Sequence, residues 1–115
     1  MRGLHYQQEP FAQAKLVRVI QGEVWDVAVD IRKNSKTYGH WVAEILSEKN
    51  KKQLWIPEGF AHGFYVLSEK AEFVYKVSNY YSPTHEKTIH WKNNNFDIKW
   101  PIISEKVYLS KKDDQ

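Results

Sequence analysis

The chain has 115 residues, of which 42% are hydrophobic and 15% aromatic, and a net charge of +3 with a pI near 9.0. That apolar content supports one domain over 1–115 with a core of ordinary size, and it excludes long disordered tracts before the last few residues. The 17 basic and 14 acidic residues are interspersed, and the mild positive balance suits an anionic small molecule at least as well as a nucleic acid. The absence of cysteine excludes disulfides, zinc-thiolate sites and thiol nucleophiles. No leader pattern or membrane-length apolar run is present, so a cytoplasmic location is expected.

The elements in chain order read as strands almost throughout. Arg2-Gly3-Leu4-His5-Tyr6 opens the sequence as if in the middle of a sheet. A barrel without strands before it presents an edge that a partner must cover, unless the chain is a shortened relative of something larger. Residues 16–20 (LVRVI) form the next strand. In 22–32 (GEVWDVAVDIR), Trp25, Val27, Val29 and Ile31 alternate with Val24, Asp26, Ala28 and Asp30, the period of two of a strand. Residues 41–46 (WVAEIL), 53–56 (QLWI), 63–67 and 72–77 continue the series. A polar turn at 47–52 and a tight turn at Pro57-Glu58-Gly59 lie between them. Residues 93–95 and Pro101 mark loops, and 111–115 is a polar tail. Short strands at this spacing predict an antiparallel sandwich or barrel.

Five histidines are present: His5, His40, His62, His85 and His90. Metal-binding barrels gather a His-x-His pair, a carboxylate and a later histidine. His5 has no histidine or carboxylate two residues away, and His62 alone occupies the place of a last ligand. The reading is therefore metal-free. Acid–base chemistry fits better, because histidine titrates nearest neutral pH. Lys15 and Arg18 follow His5 closely, and Tyr75 shares a strand face with Phe73 and Val77, expected to be the barrel interior. A base, a cation and a phenol around one cavity can remove a proton beside a ketone, stabilise the enolate and return the proton from the other face. Taken singly, these residues also fit plain structural roles, since a strand tyrosine ordinarily packs and a strand lysine ordinarily faces solvent.

The segments RGLHYQ (2–7), QAKLVRVIQGEVWDVAVDIR (13–32), QLWIPEGFAHGF (53–64), EFVYK (72–76), YYSPTHE (80–86) and LSKKD (109–113) occur in this order. Together they closely resemble the dTDP-4-dehydrorhamnose 3,5-epimerase family. The resemblance implies an all-β, cupin-like double-stranded β-helix (jelly-roll) barrel in a small form. It also implies a cofactor-free isomerase that inverts C3 and C5 of a dTDP-4-keto-6-deoxyhexose. That step converts dTDP-4-dehydro-6-deoxyglucose to dTDP-4-dehydrorhamnose, in dTDP-rhamnose synthesis for cell-surface polysaccharide. Its partners would be the nucleotide sugar and a second copy in a homodimer, with no nucleic acid and no membrane.

By this resemblance His5 matches the base that removes both protons, and Asp113 matches the carboxylate that orients it. Lys15 matches the lysine near the keto oxygen, and Tyr75 the proton donor on the opposite sugar face. Arg2, His62, Glu86 and Lys112 match substrate-binding positions, and Tyr81 matches an aromatic beside the sugar. His62 and Glu86 also admit structural roles in their turns. The family's segment before RGLHYQ, with its nucleotide-contacting Arg, Phe and Glu, has no counterpart here, and the family's closing segment after LSxKD is short. The alternatives are a weakly active or inactive remnant that binds nucleotide sugar or assembles with a partner, and a related 3-epimerase or keto-isomerase.

Overall fold

The computed structural model describes residues 2–10, 12–79, 81–90 and 96–101, with Arg2 described by its backbone alone. Eight strands follow one another: β1 (Arg2–Gln7), β2 (Lys15–Gln21), β3 (Glu23–Asp30), β4 (Trp41–Ser47), β5 (Gln53–Ile56), β6 (Phe60–Val66), β7 (Glu72–Val77) and β8 (Glu86–Thr88). They form two antiparallel sheets, one of order β4-β3-β6-β1-β8 and one of order β5-β2-β7. The expected all-β, antiparallel architecture is thus observed. Two details differ from the sequence reading. β6 begins at Phe60, directly after the Gly59 turn, instead of at Gly63. Residues 86–88 form a short strand because β1 offers them a pairing edge.

The sheets pack face to face over Val17, Val19, Val24, Ala28, Leu46 and Ile56, with Phe64, Val66 and Phe73 against them. A second apolar layer covers the opposite face of the five-stranded sheet. There Leu4, Val27, Val29 and Ala61 are buried with Phe96, and Ile98 and Trp100 lie against them. The Trp25 ring sits between Trp41 and Trp100, at 6.0 and 5.3 Å. β3 is therefore buried on both faces, and its alternation separates two cores instead of core from solvent. Burying each of Val17, Val24, Val27 and Val29 fully stabilises the fold by about 1.5–3 kcal/mol.

The outer face of the three-stranded sheet contrasts with this. Ile20, Trp55 and Val74 are exposed there. They share that face with Arg18, whose register partners are Gln53 and Val74. Arg18 thus points away from the sheet-to-sheet interior, unlike Lys15.

Candidate active site

β1 occupies an interior position of the five-stranded sheet, between β6 and β8. Gly3 permits its close approach to β6. Its φ is +117°, and a Cβ there would lie 2.4 Å from the Gly63 Cα and 2.7 Å from the His62 carbonyl oxygen. Beyond it, Leu4 enters the outer core, and His5 faces the space between the sheets in register with His62 of β6. Two imidazoles therefore stand on adjacent strands of one wall.

Each imidazole meets a carboxylate. His5 Nδ1 is 3.4 Å from Glu86 Oε1, with only 8% and 11% of the two side chains exposed. Pairing of Gln7 with Glu86 on β8 brings that carboxylate diagonally beside His5. The Tyr81 hydroxyl donates to the other oxygen, Oε2, at 2.5 Å. His62 Nε2 lies 2.7 Å from Asp26 Oδ1, and Asp26 is fully buried. Asp26 is the β3 register partner of Phe64, two residues from His62 on the same face.

The three-stranded sheet supplies the facing wall. Lys15 is the register partner of Val77, and Val17 of Tyr75. Opposite residues of an antiparallel pair share a face, so the inward direction of buried Val17 carries Tyr75 inward as well. Among the described strands β7 is one edge of its sheet, and Tyr75 keeps 59% of its surface exposed. His5, Lys15, His62, Tyr75, Tyr81 and Glu86 all line one cavity of about 570 Å3. Phe60, Phe64 and Phe73 line it too, and the Phe64 and Phe73 rings meet between the sheets at 4.4 Å. The result is a polar wall carrying two histidines, opposed by a lysine and a phenol, above an aromatic floor.

Loop contacts hold this frame. Gln7 Oε1 accepts the Ser82 amide at 2.9 Å, and Gln13 Nε2 donates to the Asn79 carbonyl at 2.8 Å. After β3, Asp30 accepts from the Arg32 amide and guanidinium and from the Ser35 and Thr37 hydroxyls. The Arg32 side-chain bond, chiefly, holds the Asp30 carboxyl well below the usual carboxylate range, against the opposing effect of its burial. The Arg32 guanidinium in turn lies 5.1 Å over the Phe60 ring of the cavity wall.

Six residues singled out from the sequence thus meet at one cavity. The side chain of Arg2, and Lys112 and Asp113 entirely, lie outside the described residues. Asp26, Gln7 and the phenylalanine floor were not among the candidates. The sign of Asp26 was an aspartate on the same strand face as Val24 and Ala28. Among the described residues no group of three His, Asp or Glu side chains could hold a metal ion. Among the described residues no helix is long and apolar enough to cross a membrane.

Comparison with known proteins adds ancestry to this geometry. The family model for dTDP-4-dehydrorhamnose 3,5-epimerase matches residues 1–115. The dTDP-4-dehydrorhamnose 3,5-epimerase of Shigella flexneri is 60% identical over 113 residues, which are 98% of this chain and 61% of that protein. The chain therefore spans about three fifths of the length of that curated relative. Among solved structures, the dTDP-6-deoxy-D-glucose-3,5-epimerase of Legionella pneumophila, in complex with dTDP-4-keto-L-rhamnose, superposes with a TM-score of 0.94. It is 57% identical, over 98% of this chain and 59% of that one. A 3'-monoepimerase from Streptomyces bikiniensis, solved with dTDP as a double mutant in one histidine and one tyrosine, is 29% identical with a TM-score of 0.90. That match covers 98% of this chain and 56% of the other. The two packed antiparallel sheets are the cupin-like jelly roll of these epimerases, and the chain belongs to the dTDP-4-dehydrorhamnose 3,5-epimerase family.

Proposed function

We propose that the chain is a metal-free epimerase that inverts C3 and C5 of a dTDP-4-keto-6-deoxyhexose, the step that forms dTDP-4-dehydrorhamnose in dTDP-rhamnose synthesis for cell-surface polysaccharide. The observation that carries this reading is the placement of His5 and Tyr75 on opposite sheets around one cavity. Inverting a carbon beside a ketone requires a proton to leave one face and another to arrive at the opposite face. His5 removes the C–H proton, and the electron pair moves into the enolate, whose oxygen the Lys15 ammonium stabilises. The Tyr75 hydroxyl then delivers its proton to the carbon from the far side, and the ketone re-forms. The Streptomyces double mutant alters a histidine and a tyrosine with the same separation along the chain as His5 and Tyr75, which supports the pairing.

His62, Tyr81 and Glu86 bind the sugar nucleotide in this reading, joined by Arg2 and Lys112, and Asp113 assists His5. The likeness to a 3'-monoepimerase favours inversion of one centre as a second reading. We also propose a cytoplasmic homodimer that uses the exposed outer face around Ile20, Trp55 and Val74. Sedimentation should then give twice the mass of the 115-residue chain.

The test is incubation in D2O with dTDP-4-keto-6-deoxyglucose. Deuterium should enter both C3 and C5, and His5→Ala should abolish exchange. Deuterium at C3 alone selects the second reading. No exchange with any 4-keto-6-deoxyhexose nucleotide overturns the epimerase reading.

A further inference from the structure

Asp26 combines two properties found together nowhere else among the described residues: it is a fully buried acid, and one of its oxygens, Oδ2, lacks a hydrogen-bond partner. Its same-face neighbours along β3 are the buried Val24 and Ala28. Its register partner on β4 is Glu44, an exposed side chain paired with Lys52 at 3.4 Å. A buried carboxylate with one bare oxygen is costly unless the other oxygen takes a strong donor. Oδ1 has one such contact, His62 Nε2 at 2.7 Å. A carboxylate only accepts, so in this contact Asp26 as a carboxylate requires the hydrogen on the ring nitrogen.

We infer that Asp26 is a positioning residue that holds His62 in the Nε2–H form, leaving Nδ1 as a hydrogen-bond acceptor for a hydroxyl of the bound sugar. This rests on the function proposed above. It uses the logic by which a buried aspartate fixes the tautomer of a catalytic imidazole in serine proteases, applied here to a second histidine beside His5. The other titratable side chains around this cavity are His5 on β1, Tyr6 on β1, Lys15 on β2, Tyr75 on β7, Glu86 on β8 and Tyr81 before β8. The cavity therefore holds two carboxylate-held imidazoles on adjacent strands. One is held by Glu86, whose side chain is 11% exposed, the other by an aspartate that is fully buried.

The experiment is 15N–1H correlation of the histidine rings in the intact 115-residue chain. His62 should show its hydrogen on Nε2, and a hydrogen on Nδ1 overturns the inference. In Asp26→Asn the amide NH2 can face Nε2, so the ring pattern should invert. Deuterium exchange into the 4-keto sugar should then fall about 10- to 100-fold, with a rise in KM that His5→Ala does not explain. An unchanged ring pattern, or exchange within about twofold of the parent, overturns the assignment. The ring measurement on the parent chain decides the case if Asp26→Asn does not fold. Absence of exchange by the parent chain overturns the proposed activity, and the ring pattern still tests Asp26 separately.

Discussion

His5 on β1 and Tyr75 on β7 belong to different sheets, yet both line the same cavity from opposite walls. Their register partners settle this. His5 pairs with His62 in the five-stranded sheet, and Tyr75 pairs with the inward-facing Val17 in the three-stranded one. In the proposed reaction, a proton acceptor and a proton donor would thus face the sugar from two sides. Tyr75→Phe should uncouple exchange from inversion: His5 still removes and returns protons on its own face, so deuterium enters while configuration is retained. Product stereochemistry by NMR, set beside the deuterium content, checks this. Equal loss of exchange and inversion in Tyr75→Phe would contradict the division of roles.

Lys15 approaches the cavity from β2, on the same face as Tyr75. Lys15→Met keeps the length of the side chain and removes the charge. If the ammonium stabilises the enolate, kcat should drop about 100- to 1,000-fold, the range for losing one such group. KM should change far less. Steady-state kinetics separate the two effects, and a pure KM change would reassign Lys15 to ground-state binding.

Glu86 touches both His5 and Tyr81. Glu86→Gln preserves size and leaves an acceptor for the Tyr81 hydroxyl, but it removes the negative charge beside the imidazole. Exchange should slow by about 10- to 100-fold, because a charged hydrogen-bonding partner is worth about 1.5–3 kcal/mol. Tyr81→Phe should slow it less, since Oε1 stays beside His5. The ranking of the two variants in the exchange assay is the check.

Gly3 carries a φ of +117° where β1 lies against Gly63. Gly3→Ala must strain the backbone and push the strands apart, at a cost of about 1–3 kcal/mol. Denaturant unfolding should show that loss. A variant as stable as the parent would mean that the β1–β6 approach is relaxed in solution.

Asp30 contributes pH-dependent stability. Its folded-state titration lies below the ordinary value, chiefly through the Arg32 bond, so its contribution is present above the unfolded value of about 3.9 and is lost as pH falls towards the folded value. Asp30→Asn should therefore destabilise the protein at pH 7 by about 1–3 kcal/mol. The gap to the parent should narrow progressively below about pH 4. Thermal melts of both proteins at pH 7 and in acid test the sign.

The sequence by itself determined the strands and much of the candidate site. Period-two alternation in β3 and β7, and the turn at Gly59, follow from local sterics, and the bounds of β2, β3, β4, β5 and β7 were legible to within two residues. The motifs around His5, Lys15, His62, Tyr75, Tyr81 and Glu86 named the residues before their geometry was visible. Tertiary structure decided what pairing and packing decide. β8 exists because β1 offers it an edge. β3 buries both faces because residues 96–100 cover its second side. Lys15 faces the cavity while Arg18 faces outward, a matter of strand register that the same short segment cannot express. Asp26 is the sharpest case. In the sequence it is one aspartate in an alternating strand. Only the pairing of β3 with β6, distant along the chain, makes it the buried partner of His62.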